Sequence, residues 1–167
     1  MGIAVPSSFV STGSLDAVVN ALQAMYDYQN ADGSSPGAGP SLLQQWSDTY
    51  HCWTMIGSYN YVLYTGDMDW LGSVWRRYQD AVDYVYGKVL LDGIGLLNVT
   101  GTRDSARKAQ GGNNTAANVI LYHTLRTGAT LATWMDDASL AHTYTARAKS
   151  LDVEGCGREV RVVVRRG

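Results

Sequence analysis

The sequence predicts an all-α fold in which helices pair into hairpins. In five segments, apolar residues recur at the three- and four-residue spacing of one helix face. Short turns containing Gly or Asp alternate with two long, glycine-rich connections. Apolar residues also make up 46% of the chain, which is enough to build a hydrophobic core.

The first two helices are predicted at residues 15–28 and 48–64. The apolar stripe of the second predicts a buried face made of Cys52, Ile56, Tyr59 and Leu63. The side chains of Ser14, and of Ser47 or Asp48, stand where they can accept hydrogen bonds from the first free N–H groups of these helices. Between the helices lies the first long connection, which is rich in Gly and Pro. Connections of this length inside a compact domain are usually functional.

The third helix follows the second after a tight turn and is predicted to end near residue 88. Gly66 suits the left-handed conformation that ends a helix, and Asp67 suits the cap of the next one. The apolar stripe of this third helix predicts its buried face, which consists of Leu71, Val74, Tyr78, Ala81, Val82, Val85 and Val89.

A second long connection, residues 90–113, precedes the fourth helix, which is predicted to begin at Asn114 as its cap and to end near Trp134. The fifth helix is predicted at residues 138–151. Since the short turns would fall at one end of the hairpins, both long loops are expected at the other end. Loops positioned by a rigid scaffold commonly form sites.

The candidate site residues lie in and next to these two long loops. Carboxylates and Arg pair with sugar hydroxyls, and aromatic rings cover the C–H faces of a sugar, so this set predicts carbohydrate binding. A structural interpretation stays beside it, because Asp-Gly is a common turn and Asp a common helix cap. The candidates are Asp32, Trp46, Asp48, His51, Trp53, Arg103 and Asp104.

Other classes of function find little support. A formal charge of −2 argues against a nucleic-acid partner, and no apolar run approaches the ~20 residues of a membrane span. His51, His123 and His142 are scattered without metal-ligand spacing, so no metal and no cofactor is predicted. The first ten residues lack the features of a signal peptide.

Three stretches resemble a known family: "YDYQNADGSSPGAGP", "WSDTYHCWTMIGSYNYVLYTGD" and "TGTRDSARKAQGGNNTAANVILY". They look like the α-L-rhamnosidase-like six-hairpin glycosidases, notably the fungal branch, and the resemblance covers residues 14–152. It implies a fold that is part of an (α/α)6 toroid. The predicted organisation is an N-terminal extension at 1–13, this partial domain at 14–152, and an atypical, arginine-rich tail at 153–167.

The resemblance implies hydrolysis of terminal α-L-rhamnosides with inversion. In this mechanism one carboxylic acid protonates the leaving oxygen and a second carboxylate activates water. Family members carry these two groups on segments that have no counterpart here, and Glu is absent from residues 1–153. No catalytic residue is therefore assigned, and the chain is expected to be inactive alone. The family is often secreted.

The resemblance also implies a role for each candidate. Asp32 would contact sugar hydroxyls, and Asp48 and His51 would bind the sugar or orient their neighbours. Trp46 and Trp53 would form apolar walls, and Arg103 and Asp104 would close the pocket from the second loop. Ser105 stands where the family pattern has Trp.

Two alternatives to an inactive hydrolase segment stay open. One is a non-catalytic carbohydrate-binding remnant, and the other is a helical scaffold for protein interaction. Because part of a toroid leaves apolar helix faces uncovered, self-association is also expected.

Overall fold

The computed structural model describes residues 2, 4–40, 47–93, 95–99, 103–104, 107–108 and 111–151. The described residues form six helices and one antiparallel ladder of two-residue strands. The helices are α1 (Ala4–Thr12), α2 (Asp16–Asp27), α3 (Asp48–Thr65), α4 (Met68–Asp92), α5 (Thr115–Trp134) and α6 (Ala138–Leu151). The strands are β1 (Arg103–Asp104) and β2 (Arg107–Lys108).

The helices follow one another in three pairs, each joined by a short turn, and the predicted all-α fold is confirmed. Gly13, Gly66 and Asp136 adopt positive φ angles in the three turns. The two long connections separate the pairs, so that short and long connections alternate as predicted. Among the described residues, no helix combines the length and apolar character needed to cross a bilayer.

Three of the predicted caps form, and one is displaced by a residue. Ser47, Asp67 and Asn114 accept hydrogen bonds from the backbone N–H groups of Tyr50, Trp70 and Ala117. At α2 the boundary residue is Leu15, and the Ser14 hydroxyl accepts from the N–H of Asp16. Ser14 therefore still satisfies a first-turn donor of α2, from one position further out.

Two helical segments exceed the prediction. The described residues contain one helix more than the five predicted, because α1 forms where the sequence shows only weak apolar periodicity. It buries Val5 and packs against α3, which provides stabilisation that local propensity does not. The α4 helix continues past residue 88 to Asp92 and ends at Gly93, which adopts the left-handed conformation.

The burial of α4 agrees with the predicted stripe, whose seven residues are all buried. The predicted stripe of α3 is too narrow. The described neighbours α1, α2, α4 and α5 surround this helix, so its buried residues include polar ones such as Thr54 and Ser58. Leu63, which was predicted to lie on the buried face, is half exposed.

The helix directions place the ends of the long connections together. In α3 and α5, Cys52 lies next to Thr124 and the Tyr59 ring stacks on Trp134, so these two helices run parallel. The α4 helix runs antiparallel to α3, because Lys88 contacts Asp48. The end of the first connection and both ends of the second therefore lie at one end of the helices, as predicted.

Replacing glycine by alanine is expected to change the free energy of unfolding in opposite directions at two positions. Gly66→Ala is expected to lower the free energy of unfolding by about 1 kcal/mol, because φ is +70° at Gly66. Gly72→Ala is expected to raise it by up to about 1 kcal/mol, because Gly72 lies exposed inside α4 with open space around it. Urea unfolding measures both, and equal signs would contradict the account.

Candidate functional site

A cavity of about 230 Å³ opens where the first connection meets the N-terminus of α3 and the last turns of α4. Its walls are mainly polar, and each comes from a different part of the chain. The lining residues are Asn30, Asp32, Ser34 and Ser35 from the connection, Ser47, Asp48 and His51 from the start of α3, and Tyr84 from α4.

Asp48 forms one wall of the cavity through a buried ion pair. Its Oδ2 lies 2.6 Å from Nζ of Lys88, with the two side chains 4% and 16% exposed. Asp48 stands in the first turn of α3, where the helix dipole favours a negative charge. The lysine and the helix terminus thus both face the Asp48 side chain at the start of α3.

Asp32 lies across the cavity in a turn that its own side chain holds. Its Oδ1 accepts hydrogen bonds from the backbone N–H and the hydroxyl of Ser34, at 2.9 and 2.6 Å. The hydroxyl bond from Ser34, and then the backbone bond, lower the pKa of Asp32 below its usual value. The exposed carboxyl of Asp32 is therefore ionised at neutral pH.

His51 is buried below the cavity, and both of its ring nitrogens are hydrogen-bonded. Nδ1 accepts from the backbone N–H of Ser35 at 3.1 Å, and Nε2 lies 2.8 Å from the carbonyl oxygen of Ala81. A carbonyl can only accept, so the proton sits on Nε2. Burial lowers the pKa of His51 below 6.5, which favours the neutral ring.

Residues 29–35, called the loop wall below, lie along the backbone of α4. Nε2 of Gln29 donates to the carbonyls of both Gly33 and Arg77, at 2.8 Å each. Gly33 has φ +89° and lies so close to the Asp80 carbonyl that a Cβ at this position would be 2.3 Å from its oxygen. A left-handed glycine thus permits the closest approach of the loop wall to α4.

One buried hydroxyl in the cavity is unpaired. Oγ of Ser35 is buried and has no hydrogen-bond partner among the described residues. Burying a hydroxyl without a partner costs free energy, so native proteins rarely leave one unpaired. Tyr84 stands nearby, and burial together with the charges of Asp48 and Asp32 raises its pKa. The cavity is therefore lined by two carboxylates and an aromatic ring, and the Ser35 hydroxyl is buried in its wall without a partner among the described residues.

The structure brings three of the seven predicted site residues to this cavity: Asp32, Asp48 and His51. Trp46 lies outside the described residues. Trp53 lies on another face of α3, where its ring packs against Gly2 and does not line the cavity. Arg103 and Asp104 form β1, and their backbones pair with Lys108 and Arg107 of β2. The side chains of these residues lie outside the described part of the structure.

Sequence reasoning missed five lining residues and the lysine that pairs with Asp48. The missed lining residues are Asn30, Ser34, Ser35, Ser47 and Tyr84. Tyr84 and Lys88 are four residues apart and therefore share one face of α4. The spacing could have shown that the two side chains lie together on α4, but it could not show which part of the chain they would pack against.

Comparison with known proteins identifies the family. The model of the bacterial alpha-L-rhamnosidase 6 hairpin glycosidase domain matches residues 3–154, which include every described helix. A search of curated proteins found no match. The described residues supply three helix pairs, whereas the family description names six hairpins. From the extent of the match, the chain belongs to the family of bacterial α-L-rhamnosidase six-hairpin glycosidase domains.

Proposed function

We propose that residues 3–154 form the sugar-holding part of an inverting glycosidase that acts on terminal α-L-rhamnosides. The chain alone would bind such a sugar without hydrolysing it. The observation that supports this most directly is that Asp32 and Asp48 line one cavity whose wall also contains the buried, unpaired hydroxyl of Ser35. A sugar hydroxyl can donate its one hydrogen to a carboxylate while its oxygen accepts a hydrogen bond from a serine hydroxyl.

The size and chemistry of the cavity suit a monosaccharide unit. At about 230 Å³ it is smaller than the roughly 300–1,000 Å³ clefts that enclose drug-sized ligands. Asp32 and Asp48 supply acceptors in the lining, and the Tyr84 ring supplies an apolar surface with a polar tip. The Ser34 hydrogen bonds keep the pKa of Asp32 low, and an ionised carboxylate strengthens hydrogen bonds from neutral hydroxyls.

The state of the two carboxylates argues for binding over catalysis. An inverting glycosidase needs one protonated carboxylic acid and one carboxylate base, about 6.5–9.5 Å apart. The Ser34 hydrogen bonds keep the pKa of Asp32 low, so Asp32 is not poised to donate a proton, and Asp48 is occupied by its ion pair with Lys88. We therefore propose that other segments of the complete domain provide the acid and the base.

We further propose that the isolated chain self-associates. Phe9 and Val10 of α1 are 40% and 84% exposed, and the Phe9 ring lies 4.9 Å from the ring of Tyr64, which is 39% exposed. Contiguous apolar surface of this kind is usually covered by another protein surface. The mass of the purified protein should be measured before any binding experiment, because association would complicate its analysis.

Calorimetric titration with L-rhamnose tests the function. Heat of binding is expected with rhamnose and not with D-glucose, and no p-nitrophenolate should be released from p-nitrophenyl α-L-rhamnoside. Ser35→Ala is expected to weaken binding about three- to tenfold, the worth of one hydrogen bond. Ser139→Ala, which changes an exposed serine on α6, is the matched control and should leave binding unchanged.

Two outcomes would overturn the proposal. Hydrolysis that survives purification and disappears with Asp48→Ala would show that the chain is itself a catalyst. Failure of rhamnose and of its glycosides to bind at millimolar concentrations would favour the interaction scaffold instead.

A further inference from the structure

The ring of His51 is the point where the loop wall, α3 and α4 are joined. His51 belongs to α3, is 2% exposed, and hydrogen-bonds to Ser35 of the loop wall and Ala81 of α4. Nδ1 can accept from the Ser35 N–H only while it carries no proton. The hydrogen-bond pattern therefore requires the neutral ring with its proton on Nε2.

The bond to Ser35 bears directly on the cavity. Ser35 supplies the unpaired hydroxyl, and the position of that hydroxyl depends on the backbone that His51 holds. The other attachments of the loop wall to α4, at Gln29 and Gly33, lie before Ser35 in the sequence. His51 thus holds the end of the loop wall that carries the free hydroxyl.

We propose that His51 is a positioning residue: its neutral Nε2–H form holds Ser35 in the wall of the cavity, and protonation releases Ser35, so that ligand binding weakens in acid. The part of this inference that concerns a sugar rests on the proposed function. The part that concerns Ser35 and His51 does not, and it can be tested without a ligand.

Protonation would add a second ring hydrogen, which would sit on Nδ1 and face the N–H of Ser35. Two hydrogen-bond donors would then point at each other. The charged groups around the ring act in both directions. Asp48 of α3 and Asp32 of the loop wall favour the charged ring, whereas Lys88 of α4 and burial disfavour it. Tyr84 of α4 contacts the ring edge-on, with centroids 5.3 Å apart.

The sign of the pH effect follows from the direction of the shift. Burial is the largest cause, and it lowers the pKa of His51 in the folded protein below the ordinary value of 6.5. The contribution of the neutral ring to stability is then fully present above pH 6.5 and is lost as pH falls through the folded-state pKa. The loop wall should open over this acid range.

The first experiment uses the ligand-free chain labelled uniformly with ¹⁵N, so that both the His51 ring and the Ser35 amide are observed. At neutral pH the ring nitrogens of His51 are expected to show a protonated Nε2 and an unprotonated Nδ1, and the Ser35 amide should exchange slowly with solvent. On acidification the loss of Ser35 protection should follow protonation of His51. Protonation of His51 without any change at Ser35 would overturn the proposal.

Two variants separate positioning from general packing. His51→Asn keeps an acceptor near Nδ1, and His51→Gln keeps a donor near Nε2. H51N is expected to retain more protection at Ser35 than H51Q and to lose its acid dependence. Equal loss of protection in two folded variants would contradict the proposal. If neither variant folds, the titration of the unmodified chain still decides.

Rhamnose titrations that start at pH 7.5 and extend through the range in which the labelled ring of His51 is seen to protonate complete the test. A three- to tenfold loss of affinity over the pH range in which His51 protonates would support the full inference. An affinity that stays constant while His51 protonates would overturn it. If rhamnose does not bind at any pH but Ser35 protection follows the ring, the proposed function fails and the positioning role of His51 stands.

Discussion

Replacing Gly33 by alanine is expected to lower the free energy of unfolding by roughly 2–5 kcal/mol and to abolish the shape of the cavity. Two costs add. A residue with a Cβ at φ +89° pays roughly 1–2 kcal/mol. The new Cβ would also stand 2.3 Å from the backbone oxygen of Asp80, and overpacking of this kind typically costs 1–3 kcal/mol. Urea unfolding measures the loss.

Two glycines elsewhere separate these costs. Gly13 has φ +67° but open space around it, so Gly13→Ala measures the conformational cost alone. Gly39 lies in the same connection as Gly33, without a left-handed φ and with open space, so Gly39→Ala should be nearly neutral. The expected order of destabilisation is Gly33 first, then Gly13, then Gly39. If G33A is at least as stable as G13A, the backbone of Gly33 does not approach α4 as closely as described.

The second large effect concerns the ion pair between Asp48 and Lys88. Lys88→Met keeps the aliphatic stem but leaves a buried carboxylate without its ammonium partner. Because Asp48 is 4% exposed, this variant is expected to lose about 3–5 kcal/mol of unfolding free energy. Thermal and urea unfolding at neutral pH measure the change.

The chain contains a matched control in the pair formed by Arg77 and Asp27. These side chains are 49% and 51% exposed, so Arg77→Met should cost at most about 1 kcal/mol. Adding Asp48→Asn to K88M should restore part of the lost stability, since it removes the buried charge that Lys88 balances. If K88M lowers the free energy of unfolding no more than R77M does, the ion pair between Asp48 and Lys88 is not effectively buried and does not fix the Asp48 carboxylate.

Both variants also report on the site. Gly33 sets the distance between the loop wall and α4, and Lys88 sets the direction of the Asp48 carboxylate. Each lies outside the set of residues proposed to touch a sugar. Loss of binding in variants that remain folded would therefore show that the framework of the cavity determines affinity, as expected for a preorganised site.

The helices themselves could largely be predicted from the sequence. Local signals determine them: Gly66 and Asp67 end one helix and begin the next, Asn114 caps α5, and the stripe of α4 is buried at every predicted position. These interactions join residues at most four positions apart, so the chain specifies them wherever it lies. The apolar stripe predicted for α3 was too narrow, because the extent to which a helix is buried depends on how many neighbours surround it.

The residue types of the candidate site could partly be predicted from the sequence, but their arrangement in space could not. Asp32, Asp48 and His51 were chosen for their chemistry, and they line one cavity. Trp53 was chosen by the same reasoning, yet its helical position turns the ring toward Gly2.

Five of the six described helices, most of their caps, the alternation of short and long connections, and the family could be predicted from the sequence. The pairing of Lys88 with Asp48, 40 residues away, and the hydrogen bond from Ser35 to His51, 16 residues away, depend on the tertiary structure. Capping and helical periodicity act within one or two turns, so local sequence reveals them. The partner of a buried charge is instead determined by how whole helices pack, because removing that partner leaves the buried charge strongly destabilising.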